Sequence, residues 1–106
     1  MMPEVNMSDL SFRLTLHGGN VKDLAHDALT AVKEGRYEEG ESLLEDARGE
    51  LKKGREIQAE VMRSQDNKDP IYTNMLLAHA LDHMMSAESE LKLIEELIAL
   101  HKKLEE

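Results

Sequence analysis

Along most of this chain apolar residues recur at steps of three, four and seven, the spacing of one face of an α-helix. The first run predicts a helix from about Asp9 to Glu34, with Leu10, Leu14, Val21, Leu24, Ala28 and Val32 on one face. Ser8 precedes it as an N-cap. Gly18 and Gly19 fall mid-helix, where two glycines cost about 2 kcal/mol of propensity. They signal a kink, a break or the close approach of another backbone. Gly35 is placed to close the helix as its C′ residue.

The second run predicts a helix from about Glu38 to Ser64. Tyr37, Leu44, Leu51 and Val61 share a stripe with Gly40, Ala47 and Gly54 between them, and Leu43, Ile57 and Met62 widen it. Small residues at those steps let a neighbouring helix pack closely. Gln65 to Pro70 is a polar connection ending in a proline suited to a turn or a helix start. The third helix runs from about Ile71 to Leu104. Its second half, with Leu93, Ile94, Leu97, Ile98, Leu100 and Leu104, is ordinarily amphipathic. Its first half is apolar on nearly all sides, from Ile71 and Tyr72 through Leu77 and Leu81 to Ala87. Three helices leave each one a wet side, so this pattern points to a homo-oligomer with the third helix near its centre. No stretch alternates as a strand does. The expectation is one all-α domain spanning residues 1–106.

The apolar half of the third helix contains His79-Ala80-Leu81-Asp82-His83. Two histidines and a carboxylate placed there cost desolvation free energy unless they are paired or used. At about 100° per residue, with His79 at zero, Ser86 falls near −20°, His83 near +40° and Asp82 near −60°. They share one face, with Tyr72 and Met75 above and Leu93 and Leu97 below, while Leu81 points to the other side. Three readings stay open on the residues alone. The cluster can be a hydrogen-bonded core patch that sets register in an oligomer. His79 and His83 at i, i+4 can also bind a metal, although the zinc-protease pattern fails because position 80 is alanine. Or a neutral histidine, held through one ring nitrogen by Asp82 or another acceptor, can take a phosphoryl group on the other.

Composition narrows the partners. The 106 residues carry a net charge of −9, from 22 acidic and 13 basic side chains, and no basic cluster suited to tracking a phosphate backbone. Nucleic acid is therefore not an expected partner. There are no cysteines, which removes disulfides and thiolate chemistry. Met1 to Asn6 lacks the basic start and apolar core of a signal peptide, and no apolar run approaches the roughly 20 residues that span a bilayer. A soluble, cytoplasmic protein without membrane insertion is expected. Aromatic content is 3 %, so aliphatic residues and seven methionines must fill the core, Met75, Met84 and Met85 among them. His17, between Leu14 and Val21, reads as a packed residue that is also able to line the groove; His26 and His101 read as surface or boundary residues.

Leu77-Ala78-His79-Ala80-Leu81-Asp82-His83-Met84-Met85-Ser86 resembles the active segment of the lactose/cellobiose type of enzyme IIA of the bacterial sugar phosphotransferase system, which reads His-x-Gln-Asp-His-Leu-Met-Thr or a close variant. Gly19-Asn20-Val21-Lys22 is similar to that family's Gly-x-Ala-Arg, Glu34 to Leu44 to its helix connection, and Glu96 to Leu104 to its closing helix. The resemblance covers about Leu10 to Leu104. It implies an antiparallel three-helix bundle assembled as a homotrimer. It implies that His79 is phosphorylated by the histidine-containing phosphocarrier protein and passes the group to a cysteine of enzyme IIB. It further implies His83 as a supporting residue and Asp82 on the trimer axis, where a divalent cation, Mg2+, is held. Converging carboxylates repel unless a cation or protonation neutralises them, which fits that placement. The implied transport is of a β-linked disaccharide of cellobiose or chitobiose type rather than lactose. Leu81 departs from the family's glutamine, Arg36 from its usual acidic residue, and Glu88-Ser89-Glu90 is more polar than the pattern. Readings of other classes are a histidine phosphotransfer domain of two-component signalling, which His-x-x-Lys-Gly would mark and this chain lacks, and a non-catalytic helical oligomer with a structural metal.

Overall fold

The computed structural model describes residues 7–64 and 75–105. They form α1 (Met7–Lys33), α2 (Tyr37–Ser64) and α3 (Met75–Glu105), with no strand among the described residues. Helix α1 lies between the other two and packs along both, while α2 and α3 meet at few points. Fully buried Leu14, Val21, Ala28 and Val32 line α1, and Leu44, Ala47, Leu51, Ile57 and Val61 line α2. Leu77, Ala80, Met84, Ala87, Leu91, Ile94 and Ile98 line α3. Each buried Leu, Val or Ile is worth about 1.5–3 kcal/mol.

Helix α1 stops at Gly35, whose φ of 86° suits a residue without Cβ. Gly35 N–H donates to Val32 O at 3.0 Å and Arg36 N–H to Ala31 O at 2.8 Å, the two bonds of a Schellman cap. Arg36 then opens α2, its carbonyl accepting from Gly40 N–H at 3.0 Å. Its guanidinium pairs with Glu34 and Glu39, so the basic residue at this helix start is partnered by acids on both sides. So short a link turns α2 antiparallel to α1. On the outer rim Arg48 meets Glu95 at 2.5 Å, and Arg55–Glu88 and Lys102–Glu41 continue the same antiparallel register between α2 and α3. Exposed pairs of this kind contribute about 0–1 kcal/mol each and mainly select register. Helices α1 and α3 run parallel.

Several sequence expectations change. Ser8 lies inside the first turn of α1, because the helix already includes Met7, so it is not the N-cap. The glycine pair does not break α1, which is continuous from Met7 to Lys33. A Cβ on Gly18 would lie 2.7 Å from His83 Cδ2 and 3.3 Å from Met84 Sδ, so side chains of α3, not a backbone, are what come close. Met62 is exposed and does not widen the stripe of α2. Of the methionines expected as core filler, Met84 is buried but Met75 and Met85 are exposed. The polar connection, Ile71 and Tyr72 lie outside the described residues. The small residues of α2 do admit close neighbours: a Cβ at Gly40 would stand 2.5 Å from Val32 Cγ2 and 3.2 Å from Ala28 O.

Gly40→Ala is therefore expected to destabilise by about 1–3 kcal/mol through overpacking, whereas Gly49→Ala, with open space around it, gains up to about 1 kcal/mol of helix propensity. Thermal melts of the two variants followed by circular dichroism should move in opposite directions.

Candidate functional site

The polar cluster of α3 divides in the folded chain. His79, Asp82 and Ser86 are exposed, while His83 is half-buried and turns toward α1. The expected desolvation cost therefore falls on His83 and not on the whole group. The rings of His79 and His83, one turn apart, stack with centroids 6.4 Å apart and planes 18° from parallel. The Cδ2–Nε2 edge of His83 rests on α1 at Gly18. Burial there lowers the His83 pKa, helped by the charges of Lys22 and His79 and opposed by Glu90. The favoured state of His83 is thus an uncharged ring. Leu81 turns away from His79, as its position on the helix requires, and packs against the core.

Around this pair α1 contributes charge that sequence reading did not single out. Lys22 Nζ lies 3.8 Å from Glu90 Oε2, and His26 Nε2 meets the other oxygen of the same carboxylate. The polar Glu88-Ser89-Glu90 stretch is explained in part by these contacts: Glu90 reaches α1, and Glu88 pairs with Arg55 on α2. His26 is exposed, and His101 is half-buried beside Glu105 at 3.5 Å, as expected of surface and boundary residues.

His17 is not in the core. It sits half-buried at the α1–α2 seam, where its Nδ1 and Glu50 Oε2 are 3.0 Å apart. Asn20 Nδ2 donates to Glu50 Oε1 at 2.7 Å, and Lys53 Nζ stands 3.7 Å from Oε2. Burial tends to raise the Glu50 pKa, but the hydrogen bonds from Asn20 and His17 and the charges of His17 and Lys53 outweigh it, leaving the carboxyl below its ordinary range. The available sequence signal was an acid at a half-buried step between Ala47 and Gly54.

Among the described residues no three His, Asp or Glu side chains come together to hold a metal ion within one chain. Asp82 places an exposed carboxylate on a face of α3 that it shares with His79 and Ser86 and with exposed leucines further along. On that face Met75, Leu93, Leu97, Leu100 and Leu104 are exposed, with Leu93 at 66% and Leu104 at 76%. No helix among the described residues is long and apolar enough to cross a membrane.

Residues 9–102 match the family described as the lactose/cellobiose-specific IIA subunit of the PTS system. The lichenan-specific phosphotransferase enzyme IIA component of Bacillus subtilis is 34% identical over 100 residues, covering 94% of this chain and 91% of that protein. The oligo-β-mannoside-specific EIIA component of the same organism is 32% identical over 103 residues, covering 95% and 94%. The crystal structure of the cellobiose-specific enzyme IIA of Bacillus anthracis superposes with a TM-score of 0.86 at 31% identity, over 97% of this chain and 94% of that one. The chitobiose IIA in its solution complex with HPr, from Escherichia coli, gives 0.84 at 25% identity, over 97% and 100%.

Because Glu50 titrates lower in the folded chain than in the unfolded one, its pairing stabilises above the ordinary value of 4.5 and is lost as the pH falls through its lowered folded value. Glu50→Ala is expected to cost about 1.5–3 kcal/mol at pH 7. The gap from the parent protein should narrow in urea titrations repeated near pH 3, and a gap of constant size would contradict the assignment.

Proposed function

The chain belongs to the lactose/cellobiose-specific IIA family of the phosphotransferase system and is a phosphotransferase component; on that premise we propose that it is a cytoplasmic phosphoryl carrier acting through His79. The observation that carries the reading is an exposed imidazole on α3 stacked on a half-buried one whose pKa burial lowers. A nucleophilic histidine needs a ring nitrogen with a free lone pair at the surface, where a partner's phosphohistidine can reach it. His79 attacks the phosphorus carried by the histidine-containing phosphocarrier protein. A new nitrogen–phosphorus bond forms as the donor's nitrogen–phosphorus bond breaks, and the donor ring keeps the electron pair. In the second transfer the cysteine sulfur of enzyme IIB attacks the same phosphorus and His79 leaves. Such transfers ask the protein mainly for position and charge balance.

His83 supports this site by keeping an uncharged ring against His79, so that no second fixed cation competes for the proton balance of the acceptor. The HPr complex of the chitobiose relative supports the choice of donor. Relatives named for lichenan, oligo-β-mannosides, chitobiose and cellobiose support a β-linked disaccharide as the transported sugar.

The exposed Leu93, Leu97, Leu100 and Leu104 support a homotrimer in which this face of α3 lines the axis. Asp82 would then meet its two copies, and the three carboxylates would hold Mg2+, whose charge offsets their repulsion. The groove beside the axis would leave His79 open to partners.

Incubation with phosphoenolpyruvate, enzyme I and the phosphocarrier is expected to put one acid-labile phosphate on each chain, and His79→Ala should take up none. Labelling of His79→Ala at the parental level would overturn the carrier reading. In sedimentation equilibrium the protein is expected as a trimer at micromolar concentration. Asp82→Leu should keep or tighten that trimer, since it removes axial charge; dissociation of the variant would contradict the axial placement.

A further inference from the structure

We propose that Gly18 is a positioning residue for phosphoryl transfer: by leaving room on α1 for the ring of His83, it sets the stack against which His79 is held. The proposal rests on the carrier reading of His79 and His83. A Cβ at position 18 would come 2.7 Å from His83 Cδ2, 3.2 Å from His83 Nε2 and 3.3 Å from Met84 Sδ. Non-bonded carbons do not approach to 2.7 Å without one of them moving.

What would move is decided by how each neighbour is held. The backbone of α1 is fixed on both sides of Gly18 by fully buried Leu14 and Val21. Met84 has a flexible thioether chain that can absorb a few tenths of an ångström. His83 is half-buried, so its ring has solvent on one side and is the group free to turn. The ring also carries the stack with His79, at 6.4 Å and 18°. Turning it off α1 takes away the near-parallel ring that stands beside His79.

The adjacent glycine provides a control. A Cβ on Gly19 would meet nothing within 4 Å. The two glycines therefore look alike in sequence and differ in consequence. Gly18 is needed for where a side chain of α3 lies, and Gly19 is not.

The test compares initial rates of phosphoryl uptake from the phosphorylated phosphocarrier by the parent protein, Gly18→Ala, Gly19→Ala, His83→Ala and the Gly18→Ala/His83→Ala double variant. Each is checked for its melting temperature and sedimentation. Gly18→Ala is expected to melt near the parent and to lose about 10–100-fold in kcat with KM for the phosphocarrier unchanged, the size of effect that a small misplacement produces. Gly19→Ala should match the parent. The double variant should be no slower than His83→Ala alone, because removing the ring removes what Gly18 accommodates. A parental rate for Gly18→Ala overturns the proposal. So does a slowing of equal size in the His83→Ala background, which is the signature of a general loss of folding. His83→Ala at the parental rate would remove the support assigned to His83 and Gly18's role with it. A slow His83→Ala beside a parental Gly18→Ala would remove only the role of Gly18.

Discussion

Met84 of α3 occupies space left by a glycine of each of the other two helices, and the rest of the arrangement depends on that contact. A Cβ on Gly54 of α2 would lie 2.3 Å from Met84 Cε, and one on Gly18 of α1 would lie 3.3 Å from its sulfur. Two missing side chains thus make the space for one long, unbranched side chain, which is 2% exposed. This junction is one of the few places where α2 and α3 touch. It fixes the height of α3 on the bundle, and His83, the residue just before Met84, is thereby placed on the surface of α1. The site's geometry is in this sense set from the core outward.

The second constraint is that α3 has two apolar faces. One packs in the bundle through Leu77, Ala80, Met84, Ala87, Leu91, Ile94 and Ile98, whose alternating steps of three and four are those of a packed helix seam. The other carries Met75, Leu93, Leu97, Leu100 and Leu104 into solvent, interrupted by His79, Asp82, Ser86 and Ser89. A single chain satisfies only the first. This is why an acidic chain with few aromatic residues keeps so many exposed leucines.

Much of this was legible in the sequence, because helix periodicity records burial directly. The three helices, the Gly35 cap and the packing glycines of α2 follow from spacing, whereas the second apolar face of α3 lies mostly beyond Ser89, in the half that reads in sequence as ordinarily amphipathic. The placement of His79 and Leu81 on different sides of α3 follows from the helical repeat. Three further things were not legible. The division of the cluster, with His83 inside and His79 outside, depends on which side of α3 faces α1, and a wheel drawn for one helix carries no such information. The meaning of Gly18 depends on a residue 65 positions away. The Glu50 hub, reached by His17 and Asn20, depends on the register of α2 against α1, which one acid at a half-buried step of α2 does not by itself give.

The exposed stripe of α3 runs in one phase from Met75 to Leu104, and this has a consequence for how the chain can change in length. Inserting or deleting one residue between Ser89 and Leu93 would turn the leucine end by about 100° relative to His79. The faces packed in the bundle would shift by the same angle. A change of about seven residues, two helical turns, would nearly restore the phase. The run of residues joining the histidines to the leucines is therefore close to incompressible, and its length is as much a property of the site as the imidazoles are.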